Sequence, residues 1–253
     1  MMRLTFTRLL MFGFATLLWI SGAFGQITVT PSSPYLETFD SFSTGSGAYT
    51  TSFTLSPTSA GWSNVSGDGG DFQAFSTAAT SSNSGPNRDF TTCGTGSCPN
   101  SGTAQGNYLY NECSGAASGA TFILQGPTFN ISALNDPTLS FYYHMVFNGA
   151  QDGSLAVILD NGTTSSSTSL TGSQQSSEAS PWEEAVVEAA VSETRFLFLV
   201  VTVGTSTSSF YDCGIDQVSV SNGGGGTDIE LSALTAPAPG ARVPATPLQG
   251  RLL

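Results

Sequence analysis

The feature that most limits the fold is a regular interruption of the chain by turn-forming residues. Between Thr38 and Val220, Gly, Ser, Thr, Asn and Pro break the sequence about every ten residues, and the runs between them are rich in β-branched and aromatic residues. No long run carries apolar residues at the 3.6-residue period of an amphipathic helix. The pattern predicts an all-β domain, a sandwich or a jelly roll.

The clearest predicted strands lie in the second half of the chain. They are Thr138–Phe147, Ser154–Leu159, Glu184–Ala190, Arg195–Val203 and Phe210–Val220. The Asp-Asn-Gly sequence after the second of them indicates a tight turn. Aromatic residues recur at alternating strand positions, and most of them are expected to pack the core. They are Phe39, Phe72, Phe122, Phe141, Tyr143, Phe147, Phe196 and Phe198.

The two ends of the chain differ in composition from the middle. Residues 1–25 carry two arginines, an apolar run over Leu9–Ile20 and small residues before Gln26, which predicts a cleaved signal peptide and a secreted or cell-surface protein. Residues 26–222 are expected to form one domain. Residues 223–253 begin with glycines and continue Pro-rich, so we expect a linker and a disordered tail, or the beginning of a further domain.

The charge of the chain is strongly acidic. Its formal net charge is −12, and it contains no lysine. Such a surface repels phosphate backbones and anionic lipids, so we expect no nucleic-acid partner. No segment after the signal approaches the length of a membrane helix, so no membrane insertion is expected. Clustered carboxylates favour a divalent cation, and the alternative is a surface that only keeps the protein soluble.

The chain has four cysteines, Cys93, Cys98, Cys113 and Cys213. An even number after a signal peptide predicts disulfides, and four cysteines allow three pairings. Cys93 and Cys98 lie in one Gly-rich loop that can close on itself, which would leave Cys113 with Cys213. A zinc site or free thiols are the alternatives, although the spacing suits zinc poorly.

Ten short phrases follow one another along residues 36–221. They are Phe39-Asp40, Gly61-Trp62, Asp71-Phe72, Gly85–Thr91, Tyr108–Tyr110, Leu124–Phe129, Leu139–Met145, Gly153–Val157, Trp182–Val187 and Ile215–Val218. In order and spacing they resemble a MAM domain, the extracellular module of meprins, neuropilins and receptor tyrosine phosphatases. Several departures indicate a divergent, bacterial member: Phe90 replaces the usual His, Thr38 stands where an early cysteine is usual, and Gln217 replaces an Asp. Cys113 and Cys213 also stand where the family usually has small or aliphatic residues, and their joint change supports a bond between them.

The resemblance implies a jelly-roll sandwich of two antiparallel sheets, similar to concanavalin, in a module for adhesion, self-association or cargo recognition. It also brings the first and last strands together. Some relatives bind a structural calcium ion, so four aspartates in the shared phrases are the predicted Ca²⁺ ligands: Asp40, Asp71, Asp89 and Asp216. Asp68 and Asp212 are possible additions. The alternative is that these residues cap turns and face water.

Catalytic patterns are weak. His144 is the only histidine and is predicted to be a hydrogen-bonded core residue. Glu184 and Glu188 share a strand face, as paired carboxylates of glycosidases do, but a solvated face is the preferred interpretation. We therefore expect a non-enzymatic module that binds a protein or glycan, including a second copy of itself. The alternatives are a carbohydrate-binding module, in which exposed tryptophans would stack on sugars, and a hydrolase.

Overall fold

The protein is built almost entirely from β-strands arranged in two sheets. A computed structural model describes residues 26–81, 83–99, 103–147, 153–160, 165–188, 194–205 and 211–223. Within these ranges, each sheet has six strands. The described helical structure is limited to a 3-10 turn at Thr58–Ala60 and a short helix, α1, at Phe90–Cys93. No helix in these ranges has the length and apolar content needed to cross a bilayer.

The first sheet has the strand order β1-β6-β11-β8-β9, with β3 added beside β6. Its strands are β1 (Ile27–Thr28), β3 (Ser63–Asn64), β6 (Thr121–Asn130), β8 (Ser154–Asp160), β9 (Ser165–Thr171) and β11 (Thr194–Thr202). The pairing of β1 with β6 is parallel, and the other pairings in this sheet are antiparallel. Strands β8 and β9 form a hairpin whose turn lies outside the described residues.

The second sheet has the order β10-β7-β12-β5-β4, with β2 added beside β12. Its strands are β2 (Tyr35–Glu37), β4 (Phe72–Phe75), β5 (Tyr108–Asn111), β7 (Pro137–His144), β10 (Glu183–Glu188) and β12 (Cys213–Asn222). All of its strand pairings are antiparallel. Because β2 pairs with β12, the chain segments that open and close the domain lie side by side, as the family resemblance implies.

Alternating side chains from the two sheets form one core. In β8 the burial alternates residue by residue, as expected for a strand with one face on a core and one on water. Phe39, Phe72, Phe122, Phe141, Tyr143 and Phe147 are buried, so their predicted core positions are confirmed. Trp62 and Trp182 are buried as well, which removes them as an exposed sugar-stacking pair.

Phe198 is the exception among these aromatic residues in the described structure. Its neighbours Leu197 and Leu199 are fully buried, and Phe198 is only half-buried on the outer face of β11. Both faces of β11 are apolar, so the sequence alternation does not identify the inner face. The side chain of Phe196 lies outside the described residues.

The cysteines follow the predicted pairing in one case and depart from it in the other. Cys93 and Cys98 form a disulfide. Cys113 and Cys213 are buried free thiols, so the predicted bond between them is wrong. The register explains the difference: Cys213 lies opposite Asn111, and the Asn111 amide donates a hydrogen bond of 3.0 Å to Cys113 Sγ. Each thiol instead donates to a main-chain carbonyl.

Candidate functional site

Three of the four predicted aspartates lie together at one end of the second sheet. Asp89 begins α1, and Asp216 lies in β12 with its Oδ2 accepting a hydrogen bond of 2.9 Å from the first amide of that helix. Asp40 approaches from the loop after β2. A Cβ at position 106 would collide with Asp40 Oδ1 and lie 3.2 Å from Asp89 Oδ1. Glycine at position 106 therefore leaves a small space that the two carboxylates share.

The three carboxylates are already oriented by hydrogen bonds. Asp89 accepts from the amide and the hydroxyl of Thr92, at 2.9 and 2.6 Å. Asp40 Oδ1 accepts from the amide of Asn107 at 2.9 Å. Asp89 and Asp216 are almost completely buried, whereas Asp40 is exposed. Burial raises the pKa of Asp216 well above its usual range, and the charges of Asp89 and Asp40 add to that shift.

The fourth predicted ligand, Asp71, does not belong to this group. Asp71 immediately precedes Phe72, the first residue of β4. Phe72 pairs with Asn111, the last residue of β5. Asp216 instead lies beside the beginning of β5. Asp71 accepts a hydrogen bond of 2.6 Å from the amide of Phe53 and interacts with Asp68. The prediction of one site with four aspartates is therefore wrong in its membership.

The three-aspartate group suits a hard cation by the type of its ligands. Its side chains offer only carboxylate oxygens, and two of the three are buried, so their mutual repulsion is poorly screened. Among the described residues, however, no three His, Cys, Asp or Glu side chains stand in an arrangement that would hold a metal ion. A complete ligand shell would need main-chain oxygens and movement of at least one carboxylate.

A second buried acidic group lies around Tyr110. Of its members, the sequence singled out only Asp212, as a possible additional Ca²⁺ ligand. The Tyr110 hydroxyl lies 3.0 Å from both Glu112 Oε2 and Asp212 Oδ2. The phenol has one proton and can donate to only one carboxylate at a time. Burial raises the pKa of Asp212 to about 8, so Asp212 holds its own proton at neutral pH and supplies the second hydrogen bond. A Tyr-x-Glu sequence on a strand is the only local signal of this group.

His144 is a core residue, as predicted, but its expected hydrogen bond is missing. The residue is fully buried, and neither ring nitrogen has a hydrogen-bond partner among the described residues. Burial lowers its pKa to about 4. The nearby main chain of Ser180 raises the pKa and so counters part of this lowering, although its contact with the ring does not have the geometry of a hydrogen bond. The ring packs edge-on against Trp182, and nothing near it forms a catalytic arrangement within the described part of the chain.

The outer face of the second sheet carries an unusual row of residues. Leu36 in β2, Ser219 in β12, Ser140 in β7 and Val186 in β10 are consecutive cross-strand partners. Leu36 and Val186 are 58% and 60% exposed, and they are the large apolar residues most open to solvent in the described structure. The hydroxyls of Ser140 and Ser219 are 2.9 Å apart and bond to each other. We call these four residues the outer row.

An apolar cleft opens between the edges of the two sheets. Its volume is about 180 Å³, and it lies between β10 and β9, beside β7 and β8. Residues on the inner faces of these strands form most of its lining, and they are Phe141, Tyr143, Leu155, Val157, Leu170, Ala185 and Val187. Glu184 and Val186, which are exposed residues of β10, complete the lining. Glu183 lies nearby and accepts a hydrogen bond of 2.9 Å from the Tyr143 hydroxyl. The sandwich is therefore open along the β9–β10 side.

The two antiparallel-rich sheets place the domain among the jelly-roll β-sandwiches. A family model for the MAM domain (meprin/A5/mu) matches residues 51–224. Because this match covers more than half of the chain, the protein belongs to the MAM domain family.

Solved structures show only distant similarity to the chain. The K1 cleaved adhesin domain of Lys-gingipain from Porphyromonas gingivalis W83 is 15% identical, with a TM-score of 0.43 over 75% of this chain and 99% of that one. A family 6 carbohydrate-binding module is 11% identical, with a TM-score of 0.37 over 78% and 97%. A family 29 carbohydrate-binding module from Piromyces equi is 11% identical, with a TM-score of 0.34 over 76% and 92%.

Proposed function

We propose that this MAM domain is a secreted or cell-surface, non-enzymatic module for adhesion, which binds a protein or glycan through the outer row. The observation that carries the proposal is the pair of exposed apolar residues at the two ends of that row. Three strand spacings separate Leu36 from Val186, which corresponds to about 14 Å. A partner with two apolar groups at that spacing would cover both residues at once.

The chemistry of the outer row favours its burial against a partner. Covering a Leu or Val side chain is worth about 1.5–3 kcal/mol when the burial is complete. Polar groups usually oppose burial because they lose hydrogen bonds to water. Here Ser140 and Ser219 already share one hydrogen bond, so a partner that covers them has to satisfy only one remaining hydroxyl proton.

The test is a loss of binding in the double variant Leu36→Ser/Val186→Ser. The purified full chain would be applied to a glycan array and to arrayed extracellular proteins, and its self-association would be followed by sedimentation. We expect at least one reproducible interaction that weakens about tenfold or more in the double variant. The matched control is Ile158→Ser, which removes a half-buried side chain from the outer face of the other sheet. Equal binding by the double variant would refute the proposal.

For the three-aspartate group, the proposal is a structural Ca²⁺ held by Asp40, Asp89 and Asp216. The ion would neutralise carboxylates that otherwise repel each other next to the beginning of α1. The supporting observations are the shared space at Gly106 and the burial of two of the carboxylates. Burial raises the pKa of Asp216, and a carboxylate binds the ion only without its proton, so Ca²⁺ should bind more tightly as the pH rises.

Thermal unfolding with EDTA and after restoring Ca²⁺ tests this part. We expect calcium to raise the Tm of the wild type, and Asp216→Asn to abolish the increase. Asp71→Asn is the control, because Asp71 is also buried but lies outside the group. An unchanged Tm in the wild type, or an equal loss of the response in both variants, would remove calcium from the proposal.

A further inference from the structure

Strand β10 has an open edge. It is the last strand on its side of the second sheet, and β7 is the only strand that pairs with it in the described structure. Main-chain hydrogen bonds described outside the sheet ladders do not involve residues 183–188. Six residues of extended chain span about 20 Å. The N–H and C=O groups on the far side of β10 therefore form a template on which another strand can pair.

The apolar cleft lies directly beside this edge. Side chains of an added strand would alternate between the two faces of the sheet, so every second one would point toward the cleft. Leu155 and Val157 from the opposite sheet form the floor of the cleft, and Ala185 and Val187 form its wall on β10. An added strand would thus extend the core of the sandwich with apolar side chains as well as pairing its main chain.

The charges on β10 select among possible occupants. Glu184 and Glu188 are exposed on the outer face of β10. Symmetric antiparallel pairing with the β10 of a second copy, centred on the strand, would place Glu183 opposite Glu188 at both ends. Like charges directly opposite each other destabilise a sheet. The chain has no lysine and a net charge of −12, which further disfavours self-pairing at this edge.

We infer that the β10 edge binds an extended, cationic segment of a partner protein as a seventh strand. Alternate apolar side chains of that segment enter the cleft, and the Lys or Arg residues between them face outward toward Glu184 and Glu188. This mode is β-strand addition, in which the main chain supplies affinity and alternate side chains supply specificity. The inference rests on the proposed interaction function but uses the edge of β10 and the cleft, which share only Val186 with the outer row.

The first test uses synthetic peptides and the full chain. The parent peptide is acetyl-Lys-Val-Lys-Val-Lys-Val-Lys-amide, and titration calorimetry measures its binding. Two further peptides carry N-methyl groups on the main chain. In one peptide the three valine amides are methylated, and in the other three of the four lysine amides are methylated. Only every second amide of a paired strand faces its neighbour. We expect one methylated peptide to lose at least tenfold in affinity and the other to bind within about twofold of the parent.

The second test changes the protein. Glu184→Gln/Glu188→Gln should weaken the parent peptide about tenfold at low salt, whereas Glu37→Gln should not. Glu37 lies in β2, in the same sheet but separated from β10 by β12 and β7. Ala185→Leu should fill part of the cleft and weaken the peptide by a similar factor while leaving the Tm equal or higher.

Several results would overturn the inference. They are no binding of the parent peptide, equal binding of both methylated peptides, or equal effects of the β10 and Glu37 variants. The outer-row variant Leu36→Ser separates this inference from the proposed function. It should keep full peptide affinity even when it loses the interactions found on the arrays. Conversely, loss of peptide binding in that variant would place the peptide on the outer row.

Discussion

The buried pair of Glu112 and Asp212 gives the strongest prediction about stability. The perturbation is Asp212→Asn, which keeps the shape of the side chain and removes its titration. The Asp212 carboxyl is fully buried, and its pKa in the folded protein is about 8, against 3.8 for the free residue. The folded protein therefore retains a proton that the unfolded chain releases between these two values.

The sign and size of the effect follow from linkage. Because the folded pKa is raised, the contribution of Asp212 to stability is largest below about pH 4 and falls as the pH rises toward 8. Each pH unit in this window costs about 1.4 kcal/mol. Between pH 4 and pH 7 the wild type should lose about 4 kcal/mol relative to Asp212→Asn, in which a neutral amide replaces the protonated acid.

The assay is urea unfolding of both proteins at pH 4, 5, 6, 7 and 8. We expect nearly equal free energies of unfolding at pH 4 and an advantage of the variant that grows with pH. Asp136→Asn is the control, because this carboxylate is exposed and the substitution is the same. Parallel curves for wild type and Asp212→Asn would show that Asp212 is ionised in the folded protein, and the proton assignment would then be wrong.

Three further predictions concern the core. His144→Phe removes two nitrogens that have no hydrogen-bond partner in the described structure, and it should stabilise the protein more at pH 5 than at pH 7. The reason is that the lowered pKa of His144 makes the wild type lose stability as the pH falls from 6.5 toward 4. Urea unfolding at both pH values measures the difference. Asn64→Ala should cost about 2–3 kcal/mol in the same assay, because the Asn64 amide makes three hydrogen bonds to the main chain of Phe53 and Phe72. A thiol reagent should detect no thiol in the native protein and two after unfolding without reductant; none after unfolding would mean that Cys113 and Cys213 are bonded.

The strand pattern was the part of the fold most accessible from sequence. Residues with one face on the core alternate in polarity, and this signal correctly located β7, β8 and the predicted part of β12. It failed at Phe198, where apolar residues occupy both faces of β11. The parallel pairing of β1 with β6 was also not foreseen, because a two-residue strand carries too little pattern to identify.

The candidate sites depend on strand register, which a single sequence does not contain. The family phrases brought Asp40, Asp89 and Asp216 to one end of the sheet, because they encode the meeting of the first and last strands. They did not show that Asp71 lies at the opposite end of β5. Tyr110 and Asp212 are 102 residues apart, and the outer row joins four strands through three separate registers. Such contacts become visible only when the sheets are assembled.

The side-by-side placement of β2 and β12 determines how the domain would respond to a pulling force. Tyr35, where β2 begins, lies opposite Val220, near the end of β12. Force applied directly at Tyr35 and at Val220 would act across this pair of strands and open its hydrogen bonds one after another, as in unzipping, rather than load them all together in shear. A domain pulled at these two points would yield at low force and lengthen while the other strands of the sheet remain folded.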